Sequence, residues 1–207
     1  SGGITSKTYF SAYKNNKWGV IDENGEEIIT PSYEEMIIIP DNKTDIFLCT
    51  YDVNYETGEY KTKALNSKNQ EILTEYDKIE AVSNSDENNN LWYENNVIKV
   101  EKDGKWGTID NTGKTILNIE YDEINTVKGI KNALLIKKDG KYGVADDDGK
   151  IIIQPKYTEI SSLGEDNKSG YIVKNDEGLY GIVGYSENTI LENKYQEIEK
   201  IYSDDLY

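Results

Sequence analysis

Apolar runs of strand length, separated by polar turn residues, fill the chain from one end to the other. Residues 133–138 read as a strand, Asp139-Gly140 as a tight hairpin turn with positive φ, and residues 141–146 as the returning strand. A second turn, Asp146-Asp147-Asp148-Gly149, precedes an Ile-rich third strand at 150–154, after which Pro155-Lys156-Tyr157-Thr158-Glu159-Ile160 is expected to leave the sheet. The first turn recurs as Asn15-Asn16, Asp103-Gly104 and Glu177-Gly178, and the second at 22–25 and 110–113. Alternation along a middle strand puts Trp18 and Val20 on one face and Gly19 and Ile21 on the other. Both faces are apolar, so the strand is expected to be covered on both sides. The glycine is expected to leave a slot for a neighbouring aromatic ring, and the recurring Trp and Tyr are read as a stacking core.

The same block is written several times. Lys17-Trp18-Gly19-Val20-Ile21-Asp22 returns as Lys105-Trp106-Gly107-Thr108-Ile109-Asp110, as Lys141-Tyr142-Gly143-Val144-Ala145-Asp146, and more loosely as Leu179-Tyr180-Gly181-Ile182-Val183. In each copy a tyrosine follows fifteen positions after the first aromatic: Tyr33, Tyr121, Tyr157 and Tyr195. A degenerate copy lies between the first and second, where residues 66–76 align with 22–33 with one residue deleted. There Thr62 and Lys63 replace the aromatic-Gly pair, and Asn69 stands where the others carry Gly. Asparagine is the non-glycine residue best suited to a left-handed backbone, so the turn is expected to survive the change. The tyrosines at 33, 76, 121, 157 and 195 thus mark five units of 36 to 45 residues.

These units resemble the WG, or KWG, repeats of bacterial proteins. Their pattern is a strand, an Asn-Gly or Asp-Gly turn, Lys-Trp-Gly-aliphatic-Ile-Asp, a Gly turn, an aliphatic strand and Pro-x-Tyr-Asp-x-Ile, matched best at 105–124 and 141–160. The second unit departs from the pattern at its aromatic-Gly pair, and the fifth at Gly184-Tyr185-Ser186-Glu187-Asn188. The expected fold is all-β: five tandem repeats of three to four strands forming one domain over residues 1–207, with units near 7–45, 46–92, 93–130, 131–168 and 169–207. One unit cannot bury its own apolar face, so units must stack. An open, solenoid-like stack is expected, with the acidic Ser203-Asp204-Asp205 tail as a cap and a small closed propeller as the alternative.

Composition removes most chemistry. The chain has 23 basic and 39 acidic side chains, a net charge of −16, no histidine and a single cysteine, Cys49. Histidine bases, imidazole metal sites, Ser/His or Cys/His pairs and Cys-rich zinc sites are therefore excluded. Such acidity argues against nucleic acid and against anionic membranes. No apolar run reaches the roughly 18 to 20 residues that span a bilayer. All basic residues are Lys, and Ile, Asn and Tyr are heavily used, which suggests an AT-rich bacterial genome. An extracytoplasmic or cell-surface location is favoured.

Three motifs could carry chemistry. The Asp-rich turns resemble the start of a calcium loop, but the twelfth position counted from Asp146 is Tyr157 rather than Glu, so β-turns capped by aspartate are expected. The Asp41-Asn42-Lys43-Thr44-Asp45 stretch is read as a solvated loop. Glu34-Glu35, Asp122-Glu123 and Glu159 recur at one place in every unit, as structural positions do, and no enzyme, metal or cofactor is expected. Trp18, Gly19, Trp106, Gly107, Tyr142, Gly143, Tyr180 and Gly181 are read as structural repeat markers. The aromatics outside the pattern, Tyr51, Tyr55, Tyr60, Trp92 and Tyr93, are the candidate binding residues. The expected function is a binding or scaffold surface, first for a protein partner and alternatively for a carbohydrate or cell-envelope ligand held by those aromatics.

Overall fold

A computed structural model describes residues 7–41 and 44–201; Asn42, Lys43 and the Ser203-Asp204-Asp205 tail lie outside the described residues. The described residues form eighteen strands in five antiparallel sheets, with one 3-10 turn at Asn167–Ser169 and no closed barrel. Sheet one comprises β1 (Tyr9–Lys14), β2 (Lys17–Asp22) and β3 (Glu27–Tyr33), and sheet two β4 (Phe47–Tyr51), β5 (Lys61–Leu65) and β6 (Glu71–Ile72). Sheet three comprises β7 (Lys78–Ser85), β8 (Leu91–Lys102), β9 (Lys105–Ile109) and β10 (Thr115–Tyr121). Sheet four holds β11 (Glu123–Thr126), β12 (Leu134–Lys138), β13 (Lys141–Ala145) and β14 (Ile151–Tyr157). Sheet five holds β15 (Glu159–Ser162), β16 (Tyr171–Lys174), β17 (Tyr180–Val183) and β18 (Thr189–Tyr195). Each is a meander of sequential strands, and each of the last three begins just after a marker tyrosine and ends at the next.

The chain divides into two compact units. The first contains residues 1–82 and 93–120, and the second residues 83–92 and 121–207. In the first, Val20, Ile29, Ile37, Phe47, Cys49 and Leu65 join sheets one and two, and Tyr9 meets Phe47 edge-on at 5.1 Å. On the opposite face of sheet two, Leu48 and Ala64 pack with Ile79, Ile98, Val100 and Ile109 of sheet three. In the second unit, Val144, Ile152, Ile153 and Tyr157 of sheet four pack with Tyr171, Val173 and Val183 of sheet five. The buried Asn84 anchors a loop there: its amide donates to the carbonyls of Val127 and Ile130 at 3.0 and 2.9 Å, and its oxygen accepts from the Gly129 N–H.

The turns follow from their side chains. Asp22 Oδ1 accepts from the N–H groups of Asn24 and Glu26, and Asn66, Asp110 and Asp146 repeat this arrangement on the residues two and four positions on. This is the aspartate-capped turn expected from the sequence. Asn69 adopts φ 57° and donates its N–H to the Asn66 carbonyl at 2.9 Å, as Gly25 does to Asp22 at 3.0 Å. The divergent fifth unit keeps the same turn, with Glu187 at φ 64° and its N–H on the Gly184 carbonyl.

Two features differ from expectation. The third strand does not stop before its proline, since β14 runs through Pro155 to Tyr157 and β3 through Pro31 to Tyr33. The slot over the repeat glycine is filled by backbone rather than by an aromatic ring. Trp18 lies opposite Tyr33, yet Val20 lies opposite Ile29, so two extra residues of β3 arch over Gly19. Proline suits such a bulge because its missing N–H breaks no ladder bond. The fifteen-residue offset is this register, and it recurs as Tyr142 opposite Tyr157 and Tyr180 opposite Tyr195.

Tyr171 is fully buried and its hydroxyl has no hydrogen-bond partner. Tyr171→Phe should stabilise the fold by about 1 kcal/mol, because it removes an unsatisfied buried hydroxyl. Burial, followed by the charges of Asp166 and Tyr185, raises this hydroxyl above its ordinary 10.0. The unfolded chain therefore ionises first as pH rises. The stability held by the neutral folded form is complete below about pH 10 and is lost progressively above it. Urea melts should show a shallower loss above pH 10 for Tyr171→Phe than for the unsubstituted protein; equal losses would show that Tyr171 does not contribute.

Candidate functional site

A concavity lies in the first unit, beside the place where the repeat pattern is broken. It encloses about 390 Å³ and is lined by the end of β3 (Ser32, Tyr33), the following Glu34 and Glu35, the end of β4 (Thr50, Tyr51), the loop Asp52, Val53 and Tyr55, and Lys17 and Lys63.

Lys63 explains the pocket. It occupies the position that is glycine in the regular units, where a Cβ would stand 2.3 Å from the Ile29 carbonyl oxygen in sheet one and 2.4 Å from that of Ile153 in sheet four. In sheet two the third strand, β6, is only two residues long, so no arch lies over β5 and a long side chain fits. Lys63, paired across the strands with Cys49, carries its ammonium 4.9 Å from the centre of the Tyr51 ring and 5.5 Å from that of Tyr33. Burial alone would lower the Lys63 pKa, but its hydrogen bond to the Tyr33 hydroxyl and the neighbouring Tyr33, Tyr51 and Cys49 hold it above its usual value. Burial raises Tyr33 and pushes the Cys49 thiol up to about 11, so the thiol stays protonated and weakly nucleophilic at neutral pH.

The rim is polar. Lys17 pairs with Glu34, the Tyr55 hydroxyl donates to Glu35, and Asp52 receives Lys61 at 3.4 Å. The site offers three tyrosine rings, two small hydroxyls, three carboxylates and two ammonium groups. These are groups that orient a neutral, hydroxyl-rich ligand by hydrogen bonds while a ring covers its apolar face.

Of the residues singled out from sequence, Tyr51 and Tyr55 line this pocket, and Tyr55 is 78% exposed. Tyr60, Trp92 and Tyr93 do not line it, and all three are half-buried. The Tyr60 hydroxyl donates to Glu80, Lys78 lies 4.3 Å over its ring, and burial followed by the Glu80 hydrogen bond raises its pKa. In the second unit Lys131 lies 5.8 Å over the Trp92 ring, and in the first burial raises Tyr93. Tyr33, Lys17, Lys63, Glu35 and Asp52 were missed by the sequence reading. Their signal was the break in the pattern at Thr62-Lys63 and the deletion before Tyr76.

The repeat markers are placed alike in the four units that carry them. Trp18, Trp106, Tyr142 and Tyr180 are half-buried, whereas Gly19, Gly107, Gly143 and Gly181 lie beneath the arch of the next strand. Lysines cover the rings of Trp106, Tyr142 and Tyr180 at 5.1, 5.3 and 5.4 Å, and Tyr13 meets Trp18 at 5.0 Å. Among the described residues no group of three or more Cys, Asp and Glu side chains is placed to share a metal ion. No described helix is long and apolar enough to cross a membrane.

The family model for the WG containing repeat matches residues 18–40, 106–142 and 142–177. The chain is a WG-repeat protein. The matches fall on the units in which an aromatic-Gly pair lies under a bulged third strand. They pass over sheet two, where Thr62-Lys63 stands in for that pair, so the pocket of this WG-repeat protein is lined on one side by Ser32, Tyr33, Glu34 and Glu35 of a matched repeat and on the other by Thr50 to Tyr55 and Lys63 of the unmatched stretch. No curated protein matches the chain.

Proposed function

We propose that the chain is a non-enzymatic β-repeat binding protein whose ligand site is the Tyr33, Tyr51, Tyr55 and Lys63 pocket, and that the ligand is a carbohydrate of the cell-envelope type. The observation that carries this reading is the replacement of the repeat glycine by Lys63 beneath a shortened third strand, which turns a packed interior position into a lined cavity. A glycan fits because the rim supplies carboxylate and hydroxyl acceptors beside ring faces. The absence of histidine and the protonated, buried Cys49 support a binding role over catalysis.

Thermal shift against wall-derived sugars, simple glycans, choline and calcium tests the reading, because a ligand of the folded state raises its apparent stability. A shift with a glycan class that Tyr51→Ala weakens by about tenfold in affinity is expected. Trp92→Ala, at a residue that does not line the pocket, should leave that affinity unchanged. A flat glycan response, or one insensitive to Tyr51 but lost with Trp92, overturns the pocket assignment. Presentation of a surface to a protein partner is supported separately by Phe10 and Tyr13 of β1, which are 49% and 58% exposed.

A further inference from the structure

In four of the five sheets, the segment just after a marker tyrosine supplies the partner on the outer edge of the next sheet. After Tyr76, Tyr121 and Tyr157 it forms β7, β11 and β15, which pair with β8, β12 and β16. After Tyr33 it is shorter, but Ile38 still exchanges two backbone hydrogen bonds with Leu48 of β4, at 3.0 and 2.9 Å. The contact has a fixed register. The residue after the tyrosine (Asp77, Asp122 or Thr158) donates its N–H to the carbonyl of Glu101, Lys137 or Lys174, at 2.8, 2.7 and 2.9 Å. Each of those carbonyl residues lies opposite the repeat aromatic of its sheet.

Sheet one breaks the rule. Its order is β1-β2-β3, and among the described residues no strand pairs with the outer edge of β1. Tyr13, opposite Trp18, is the equivalent of Lys137, so the backbone groups of Tyr13 and, by alternation, of Ser11 point away from β2. At the other end, Tyr195 is followed by Gln196-Glu197-Ile198, the counterpart of Tyr157-Thr158-Glu159-Ile160, and residues 196–201 belong to no strand. Ile201 in this segment is 92% exposed. One chain therefore carries both halves of an interaction made elsewhere in the same fold: an outward strand edge, and the segment type that covers such an edge.

We infer that residues 196–201 of one copy add as a fourth strand to the β1 edge of a second copy, making a head-to-tail contact. Carried over from Glu159↔Lys174 and Ile160↔Val173, the register sets Glu197 opposite Tyr13, Ile198 opposite Ala12 and Lys200 opposite Phe10. Ile198 then lies beside Ala12 and diagonal to the half-exposed Phe10, so that an apolar contact accompanies the backbone bonds. The segment must first release Lys200 from the Ser162 carbonyl, which it contacts at 2.7 Å. Each copy offers one donor and one acceptor, so the contact is heterologous and extends beyond a dimer. It is small, so association belongs in the micromolar-to-millimolar range. Because each copy carries a charge of −16, added salt should strengthen it. This inference is independent of the pocket.

Sedimentation velocity from about 1 µM to about 500 µM, a span chosen for a weak contact, at low and high salt, tests it. The expected result is a sedimentation coefficient that rises with concentration and rises further with salt. Glu199→Pro removes the N–H that this register aligns with the Ser11 carbonyl and lies outside every strand, so the fold should persist with an unchanged melting temperature while association is lost. Ser11→Pro removes an outward N–H of β1 and should block the other half. Mixing the two variants should restore a 1:1 species, because each retains the half the other lacks. A single monomeric species at all concentrations overturns the inference, as does association that survives Glu199→Pro or a mixture of two folded variants that fails to pair.

Discussion

Gly143→Ala should destabilise the protein by about 3 kcal/mol or more, well beyond an ordinary overpacking change. A Cβ on Gly143 would lie 2.4 Å from the Ile153 carbonyl oxygen and 2.7 Å from the Pro155 nitrogen. Both atoms belong to the arch by which β14 crosses β13, and backbone cannot swing aside as a flexible side-chain end can. Relief requires lifting β14, which would uncover Ile152, Ile153 and Tyr157 of the second unit's core. Gly140→Ala is the control. Gly140 sits at φ 79° with nothing near its Cβ position, so only left-handed strain opposes the change, at about 1 kcal/mol. Urea denaturation of the two variants decides the matter: equal midpoints would mean that the arch is soft and that the repeat glycine serves only backbone conformation.

That contrast shows which parts of the fold could be read from the sequence. The turns were legible because their chemistry is local. Asp22, Asn66, Asp110 and Asp146 each bond N–H groups within four residues, and Asn69 takes over the left-handed site by its own conformational preference. The role of Gly19 and Gly143 was not legible, because it depends on a bulge in a different strand whose depth alternation does not encode. The divergent turn at residues 184–188 looked irregular, yet it retains the backbone bonds of the others, with Gly184 donating to the Asn188 carbonyl at 2.8 Å. Lys63 was visible only as a mismatch. Its meaning required knowing that β6 is short and that sheet one lies across from it. The binding aromatics were half legible: Tyr51 and Tyr55 line the pocket, whereas the neighbours that give it character, Tyr33 and Lys63, were hidden in a repeat marker and in a gap.

Phe47→Ala should cost about 3 to 5 kcal/mol, the range for truncating a large core aromatic. Phe47 is fully buried among Val20, Ile29, Ile37, Cys49 and Leu65, with the Tyr9 ring edge-on against it. Trp106→Ala should cost clearly less, about 2 kcal/mol, although tryptophan is the larger ring and the more conspicuous in the sequence. Trp106 is half-buried with Lys99 over its face, and the adjoining core is made by Ile98, Val100 and Ile109. Buried side chains, mostly aliphatic with Phe47, Tyr157 and Tyr171 among them, thus close the contacts between sheets, while the half-buried Trp18, Trp106 and Tyr142 occupy the strand margins, where Trp18 lies opposite Tyr33 and Tyr142 opposite Tyr157 across the bulge. An aromatic at such a margin fixes register more than it removes apolar surface from water. Denaturant melts of the two variants separate these roles: a Trp106→Ala loss equal to or larger than that of Phe47→Ala would place the stabilising core at the repeat aromatics, whereas the expected order places it in the buried apolar faces between sheets, to which Phe47 belongs.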